Sequence, residues 1–183
     1  MLENNLPSWR QDLKSSRTKE GKSPSNRWIQ LATVSKKNEP RLRTVVFRGW
    51  HKNSSMIIFT DRRSEKIEHL KSNPNAEILW FFLKSKSQYR FKGKISELSD
   101  NKNHWDTLSV KSKSSWFWGS PGEKINPKLQ SAYEILSNHP KSEYFVVLNF
   151  EIDSVDLLKL KQPIHKRYLW EKIKKWEKTE INP

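Results

Sequence analysis

Three short stretches of this 183-residue chain carry side chains whose types and spacing suit chemistry. The first is Arg43-Thr44-Val45-Val46-Phe47-Arg48-Gly49, a β-branched run with an arginine near each end. The second, Ile57-Ile58-Phe59-Thr60-Asp61-Arg62-Arg63-Ser64-Glu65-Lys66, reads as a strand that hands over to a helix. A helix start offers backbone N–H groups and a partial positive charge, and nearby Ser64 and Lys66 would add charge-assisted hydrogen bonds. That combination is a seat for a phosphate. It also fits an ordinary strand–turn–helix in which Ser64 or Asp61 caps the helix and the charges are solvated. The third stretch is Gln88-Tyr89-Arg90-Phe91-Lys92-Gly93, where 88, 90 and 92 share a polar face and 89 and 91 an aromatic one. Parity raises one question: Arg43 and Arg48 are five apart, so a regular strand sends them to opposite faces. Either a bulge intervenes or the two do different jobs.

Several elements are needed to position these groups. Residues 7–20 open on Pro7-Ser8 and place Trp9 and Leu13 four apart, the mark of a short capped helix. A loop over Gly21–Asn26 leads to a strand over Trp28–Val34 and a turn through Lys36–Pro40. Strands follow at Leu42–Gly49, Met56–Asp61, Glu77–Leu83 and Gln88–Leu98, interrupted by one helix over Ser64–Ser72 that Asn73-Pro74 ends. His104, Trp105 and Leu108 suggest a helix, Ser115–Gly122 a loop, Pro127–Ser137 a second helix, and Tyr144–Ile152 a further strand before strand-like pieces to Pro183. Closely spaced strands joined by short turns predict a mainly β chain with flanking helices, an antiparallel barrel or sandwich in a single domain over 1–183.

Composition narrows the functions open to such a barrel. Apolar residues make up only 34% of the chain, but 9 Trp, 4 Tyr and 8 Phe supply large rings for a core. Lys and Arg outnumber Asp and Glu by 35 to 20, giving a net charge of +15 that attracts phosphates and polyanions. The lysines are spread along the chain rather than gathered in one stripe, which also fits compositional drift. The absence of cysteine excludes disulfides, thiolate catalysis and Cys-based metal sites. No apolar run approaches membrane-spanning length, and Met1–Asn5 lacks the pattern of a secretory leader, so the cytoplasm is the expected location and no membrane the expected partner.

Taken in this order, Arg43–Gly49, Thr60–Lys66 and the ending His165-Lys166-Arg167-Tyr168 resemble the pyridoxamine 5′-phosphate oxidase family, in particular an oxidase-like subfamily common in cyanobacteria. The resemblance is closest over residues 27–98 and returns in the last strands, Trp176 and Asn182-Pro183 included. It implies an FMN-binding split β-barrel working as a homodimer, with FMN at the subunit interface. It also implies roles by position. Arg43 begins the strand that runs along FMN, with Val45 and Val46 lining the ring through their backbone. Phe59 and Thr60 stand near the ribityl phosphate. Ser64 and Lys66 match two positions of a Ser-Arg-Lys phosphate motif, and Glu65 replaces its arginine, leaving Arg62 or Arg63 to supply the charge. Gln88 matches a glutamine that reaches the flavin from the partner subunit, and Arg167 an arginine near the isoalloxazine. Arg48 stands where the family has a lysine associated with the substrate's phosphate, and His165 where it has a substrate contact.

The resemblance thins where a vitamin B6 phosphate would be held. The family brackets the pyridine with an Arg-x-His pair, which here reads Pro163-Ile164-His165, and its upstream tryptophan corresponds to Leu157 or Leu158. Residues 105–118 do not align with its phosphate ligands. By itself His165 reads as a surface or capping residue. Trp116-Phe117-Trp118 could cover a flavin or a dimer contact, or simply pin a loop to the core. The expectation is therefore an FMN-dependent oxidoreductase whose small-molecule substrate the sequence does not assign, phosphorylated molecules being one class open to it and oxidation of a B6 phosphate being in doubt. The alternatives are a flavin carrier or sensor without turnover and a basic barrel that stacks nucleic-acid bases, the last least expected.

Overall fold

The structure is a computed structural model that describes residues 6–52, 54–99, 101–125 and 140–183. Eight strands form one antiparallel sheet in the order β3-β2-β1-β4-β5-β6-β7-β8, and a further β3–β6 pairing closes the first six into a barrel. In chain order they are β1 (Trp28–Val34), β2 (Pro40–His51), β3 (Ser55–Asp61), β4 (Asn75–Phe82), β5 (Ser87–Glu97), β6 (Phe145–Lys159), β7 (Lys166–Glu171) and β8 (Thr179–Ile181). The helices are α1 (Trp9–Glu20), α2 (Glu65–Ser72), α3 (Lys102–Asp106) and α4 (Val110–Ser114). The expected mainly β barrel with flanking helices is what the chain forms.

Period-2 alternation fills the barrel. Ile29, Leu31, Phe47, Ile58, Ile78, Trp80, Tyr89, Phe91, Val155 and Leu157 point inward and are buried. The aromatic face expected of Tyr89 and Phe91 is thus the core face. α1 adds Trp9 and Leu13 to that core, with the Trp9 ring 6.0 Å from both Trp50 and Trp176. Ser8 makes no side-chain cap on α1, against the sequence reading, because its hydroxyl accepts the indole N–H of the buried Trp170 at 2.9 Å.

The longest departure from expectation is β6, which runs to Lys159 rather than stopping at Ile152. Its first half pairs with β3 and its second half with β7, while β5 follows nearly all of it. A bulge near Gly93 and Asp153 lets one strand serve both partners. Gly93 is required there, since a Cβ would lie 1.9 Å from the Glu151 carbonyl oxygen. The middle region forms α3 and α4 instead of one helix, and Trp105 packs edge-on to Phe145 at 5.1 Å in a second apolar cluster outside the barrel. The helix expected over Pro127–Ser137 lies outside the described residues.

Candidate phosphate seat and outer wall

The three residues expected to hold a phosphate meet in space. Thr60 ends the inward face of β3, and Ser64 and Lys66 open α2 just after the turn. Lys66 Nζ donates to Thr60 Oγ1 and to Ser64 Oγ, both at 2.9 Å. Ser64 in turn donates to the Asp61 carbonyl at 2.7 Å, and its side chain makes no cap on the helix. The hydroxyls are buried, and burial together with the neighbouring Arg43 pushes the Lys66 pKa down. A lysine in that state gains from any anion that arrives beside it.

Arg43 reaches the same corner from β2. One of its terminal nitrogens, Nη1, donates to Thr33 Oγ1 at 2.6 Å and to the Arg41 carbonyl at 3.0 Å. The other, Nη2, is buried with no hydrogen-bond partner, and its nearest counter-charge is Glu65 Oε1 at 3.6 Å. A buried donor left unmade is costly, so this one suits an incoming acceptor. Arg62 and Arg63, the sequence's candidates for the missing charge, are engaged elsewhere. Arg62 pairs with Glu97, whereas Arg63 pairs with Asp61 at 2.7 Å, lies 4.0 Å from the Tyr144 ring and donates to the Trp118 carbonyl. Arg43 is the cation that stands nearest Glu65.

Behind Arg43 is a layer that sequence inspection did not find. Thr33 Oγ1 accepts from Arg43 and lies 3.1 Å from His69 Nδ1, with both side chains buried. The hydroxyl thus bridges the guanidinium and the imidazole, accepting from Arg43 on one side and sharing a hydrogen bond with Nδ1 on the other. Thr33 and His69 are 36 residues apart and belong to no motif. Only the packing of α2 on β1 brings them together.

Arg48 answers the parity question. The register of β2 against β3 shifts between Phe47 and Gly49, so a bulge does fall at Arg48, and Gly49 adopts a φ of +145° there. The faces still differ. Arg43 turns toward Thr33, whereas the Arg48 guanidinium lies 5.2 Å from the Phe59 ring on the outer side of β3. Burial, then Arg27, lowers the Arg48 pKa. Phe59 packs against His104 at 5.6 Å and Phe145 at 5.1 Å, so it faces away from Thr60, its neighbour in sequence. Val45 packs on the core and Val46 is half-buried on the outer face, opposite Trp28.

Gln88 and Arg167 belong to a different surface. Both point outward, Gln88 opposite Phe81 and Leu158, and Leu158 opposite Arg167. β5 lies three strands from β2 in the sheet, or roughly 14 Å at the usual strand spacing. Asp156 organises this wall, accepting from Arg167 at 2.7 and 3.0 Å and from Arg90. Burial pushes the Asp156 carboxyl up, but donation from Arg167 and Arg90 outweighs it and holds the pKa below the ordinary value. Around the pair the wall carries Trp28, 53% exposed, and half-buried Leu79, Phe81, Leu158 and Leu169. His165 joins neither group. It is exposed before β7, and its Nδ1 donates to the Lys161 carbonyl at 2.9 Å. In the 115–122 loop, Trp116 is packed on Phe145 at 5.0 Å while Phe117 and Trp118 are 43% and 45% exposed.

The donor set in the Arg43–Lys66 corner fits the phosphate end of FMN: two cations, two hydroxyls and one buried N–H donor without a partner. Comparison with known proteins gives the family. Residues 6–99 match the family described as pyridoxamine 5′-phosphate oxidase, FMN-binding domain. The chain is 33% identical over 175 residues to pyridoxine/pyridoxamine 5′-phosphate oxidase 2 of Arabidopsis thaliana, covering 85% of this chain and 87% of that one. A pyridoxamine 5′-phosphate oxidase-related FMN-binding protein of Nostoc punctiforme superposes with a TM-score of 0.86 at 28% identity, covering 98% of this chain and all of that one. PhzG of Burkholderia lata, solved with tetrahydrophenazine-1-carboxylic acid, shares the fold with a TM-score of 0.80 at 20% identity, over 96% of this chain and 89% of that one. The chain belongs to the pyridoxamine 5′-phosphate oxidase family and carries its FMN-binding split barrel.

Proposed function

We propose that this chain, acting as one domain over residues 1–183, is an FMN-dependent oxidoreductase that completes its flavin site by pairing with a second copy of itself. The observation that carries the reading is the buried Arg43 Nη2 without a hydrogen-bond partner, beside the Lys66–Thr60–Ser64 cluster. When bound, FMN supplies the hydride or electron transfer itself. The chain's own groups position and polarise. Arg43, Thr60, Ser64 and Lys66 hold the phosphate, and the β2 backbone at Val45 and Val46 borders the ring. Gln88 and Arg167 provide an amide and a cation for its polar edge, where positive charge favours the reduced form.

The division of these residues supports pairing. The phosphate corner opens near α2, whereas Gln88 and Arg167 stand on the outer wall three or more strands away, a separation that a site shared between two chains would bridge. An outer wall bearing Trp28, Leu79, Phe81 and Leu158 is apolar enough to meet its own copy, which would bring one protomer's Gln88 and Arg167 toward the other's phosphate corner. Arg48, with Phe59 and His104, forms a separate cationic surface suited to a small anionic substrate. The substrate reading stops short of a B6 phosphate, because Pro163 stands where the family's bracketing arginine would be and His165 is turned to the Lys161 carbonyl.

The test begins with the purified protein, which is expected to be yellow and to release FMN, not FAD, on acid treatment. In sedimentation experiments, dimer fraction and flavin occupancy should rise together. Flavin bound fully by a monomer would overturn the shared site, and a colourless protein that ignores added FMN would overturn the whole reading. Aerobic incubation with pyridoxamine 5′-phosphate should yield no peroxide above the buffer rate.

A further inference from the structure

A second cationic site lies outside the flavin corner, along the exposed side of α1. An open cleft of about 720 Å³ runs between α1 and the end of β2, floored by Trp50 and bordered by Arg10, Lys14, Arg17 and Asn26. The three cations recur at the i, i+4 and i+7 positions of one helix face. Their spacing concentrates positive charge on one wall of one cavity. No carboxylate is among the described residues that line it. The acidic groups of the same helix are turned elsewhere: Asp12 pairs with Lys159 at 2.7 Å, and buried Glu20 accepts from Ser25 and from the Lys84 amide.

The arginines are also held in place. Arg10 lies over the Trp50 ring at 3.5 Å from its centroid. Arg17 donates to Asn26 Oδ1 at 3.0 Å and sits 5.0 Å from the Phe47 ring. Burial, then Arg17, lowers the Arg10 pKa to about 10, and burial, then Arg27, lowers that of Arg17. Mutual repulsion among positioned cations is what a bound polyanion relieves.

We propose that this α1–Trp50 cleft binds a small polyanion of the linear polyphosphate class, free or as the phosphate chain of a nucleotide, at a site distinct from that for FMN. A single phosphate would engage only part of a stripe that spans two turns of helix. A chain of two or three phosphates matches its length, since seven residues rise roughly 10 Å. The proposal stands apart from the flavin reading, because α1 contributes nothing to the Arg43–Lys66 corner.

Calorimetric titration of FMN-saturated protein with sodium tripolyphosphate tests it, with the visible flavin band monitored to show that FMN is not displaced. Saturable binding with one site per chain is expected. Lys14 is exposed and makes no ion pair with a described residue, so Lys14→Glu should leave the fold intact and weaken binding about tenfold or more. Lys37→Glu, an equal change in net charge in the β1–β2 turn, should alter affinity less than about twofold. A parallel titration with ATP separates the sources: equal affinity identifies the phosphate chain alone, and tighter binding a nucleotide. Absence of saturable binding, loss of the flavin band during the titration, or equal weakening by both substitutions would overturn the site.

Discussion

Replacing Lys66 by alanine tests the phosphate corner most directly. The ammonium makes two 2.9 Å hydrogen bonds, to Thr60 and Ser64, and no acid pairs with it among the described residues. A charged hydrogen bond to a phosphate oxygen is worth about 1.5–3 kcal/mol, so Lys66→Ala should raise the FMN dissociation constant roughly 10- to 150-fold. The apo protein should suffer little. The substitution removes a half-buried cation whose pKa burial and Arg43 already depress, and apo Tm should move by no more than about 2–4 °C, the equivalent of about 1 kcal/mol at this chain length. Fluorescence titration of apo protein with FMN measures the first quantity and calorimetry the second. Unchanged FMN affinity in a normally folded variant would refute the assignment, and a large fall in apo Tm would show that Lys66 is structural.

Further outcomes follow from the same geometry. Because the Lys66 pKa is depressed in the apo state, the cation is lost as pH rises through that lowered value, so FMN affinity should begin to fall below the ordinary lysine pKa of about 10.4. Lys66→Arg should abolish that alkaline fall, and a fall shared by both proteins would place its origin elsewhere. Gln88→Ala should weaken FMN binding less than Lys66→Ala, by about 1 kcal/mol for one neutral hydrogen bond, and equal losses in titration would contradict the roles assigned. Asp156→Asn removes the negative charge and one of the two acceptor oxygens that Arg90 and Arg167 share, and should lower Tm by about 2–8 °C, on the order of 1–2 kcal/mol after allowing for solvent exposure. The native Asp156 contribution is present above the unfolded carboxyl pKa and disappears as pH falls through the depressed folded value, so wild type and variant should converge in acid. Gly93→Ala places a methyl 1.9 Å from a backbone oxygen and should cost about 3 kcal/mol or more, read as a collapse of Tm or of soluble yield.

The inward and outward faces of the strands were legible because alternation is a local property. Tyr89 and Phe91 entered the core and Gln88 and Arg90 stayed outside, as two-residue periodicity requires. The Thr60–Ser64–Lys66 cluster was legible for a similar reason: one turn separates the strand from the helix, so the motif carries its own geometry. What sequence did not show depends on contacts between distant segments. Arg43 was expected along the flavin, but its approach to Glu65 comes from β2 arriving beside α2. The support from Thr33 and His69, and the gathering of Arg90 and Arg167 by Asp156, likewise exist only once register is fixed. Ser8 shows the converse: its local capping signal was overridden by the buried indole of Trp170, 162 residues away.

The placement of charge also argues for how the site works. Within one chain the phosphate corner holds Arg43 and Lys66 with two acids nearby: Glu65, at 3.6 Å from Arg43 and 65% exposed at its side chain, and Asp61, which is paired with Arg63. An exposed carboxylate offsets a buried cation only partly, because water screens it. The corner therefore keeps net positive charge until a dianionic phosphate enters. On the outer wall the balance is different, since Arg90 and Arg167 share Asp156 and Glu77 lies 4.0 Å from Arg90, which leaves the two arginines close to neutralised. In the proposed pairing, a phosphate tail would meet the surplus at one protomer's corner, and the other's Arg167, held in place by Asp156, would stand at the ring. Cofactor binding and subunit association would then be cooperative: the phosphate corner carries positive charge that its own fold does not neutralise, and FMN bound there would link the two equilibria.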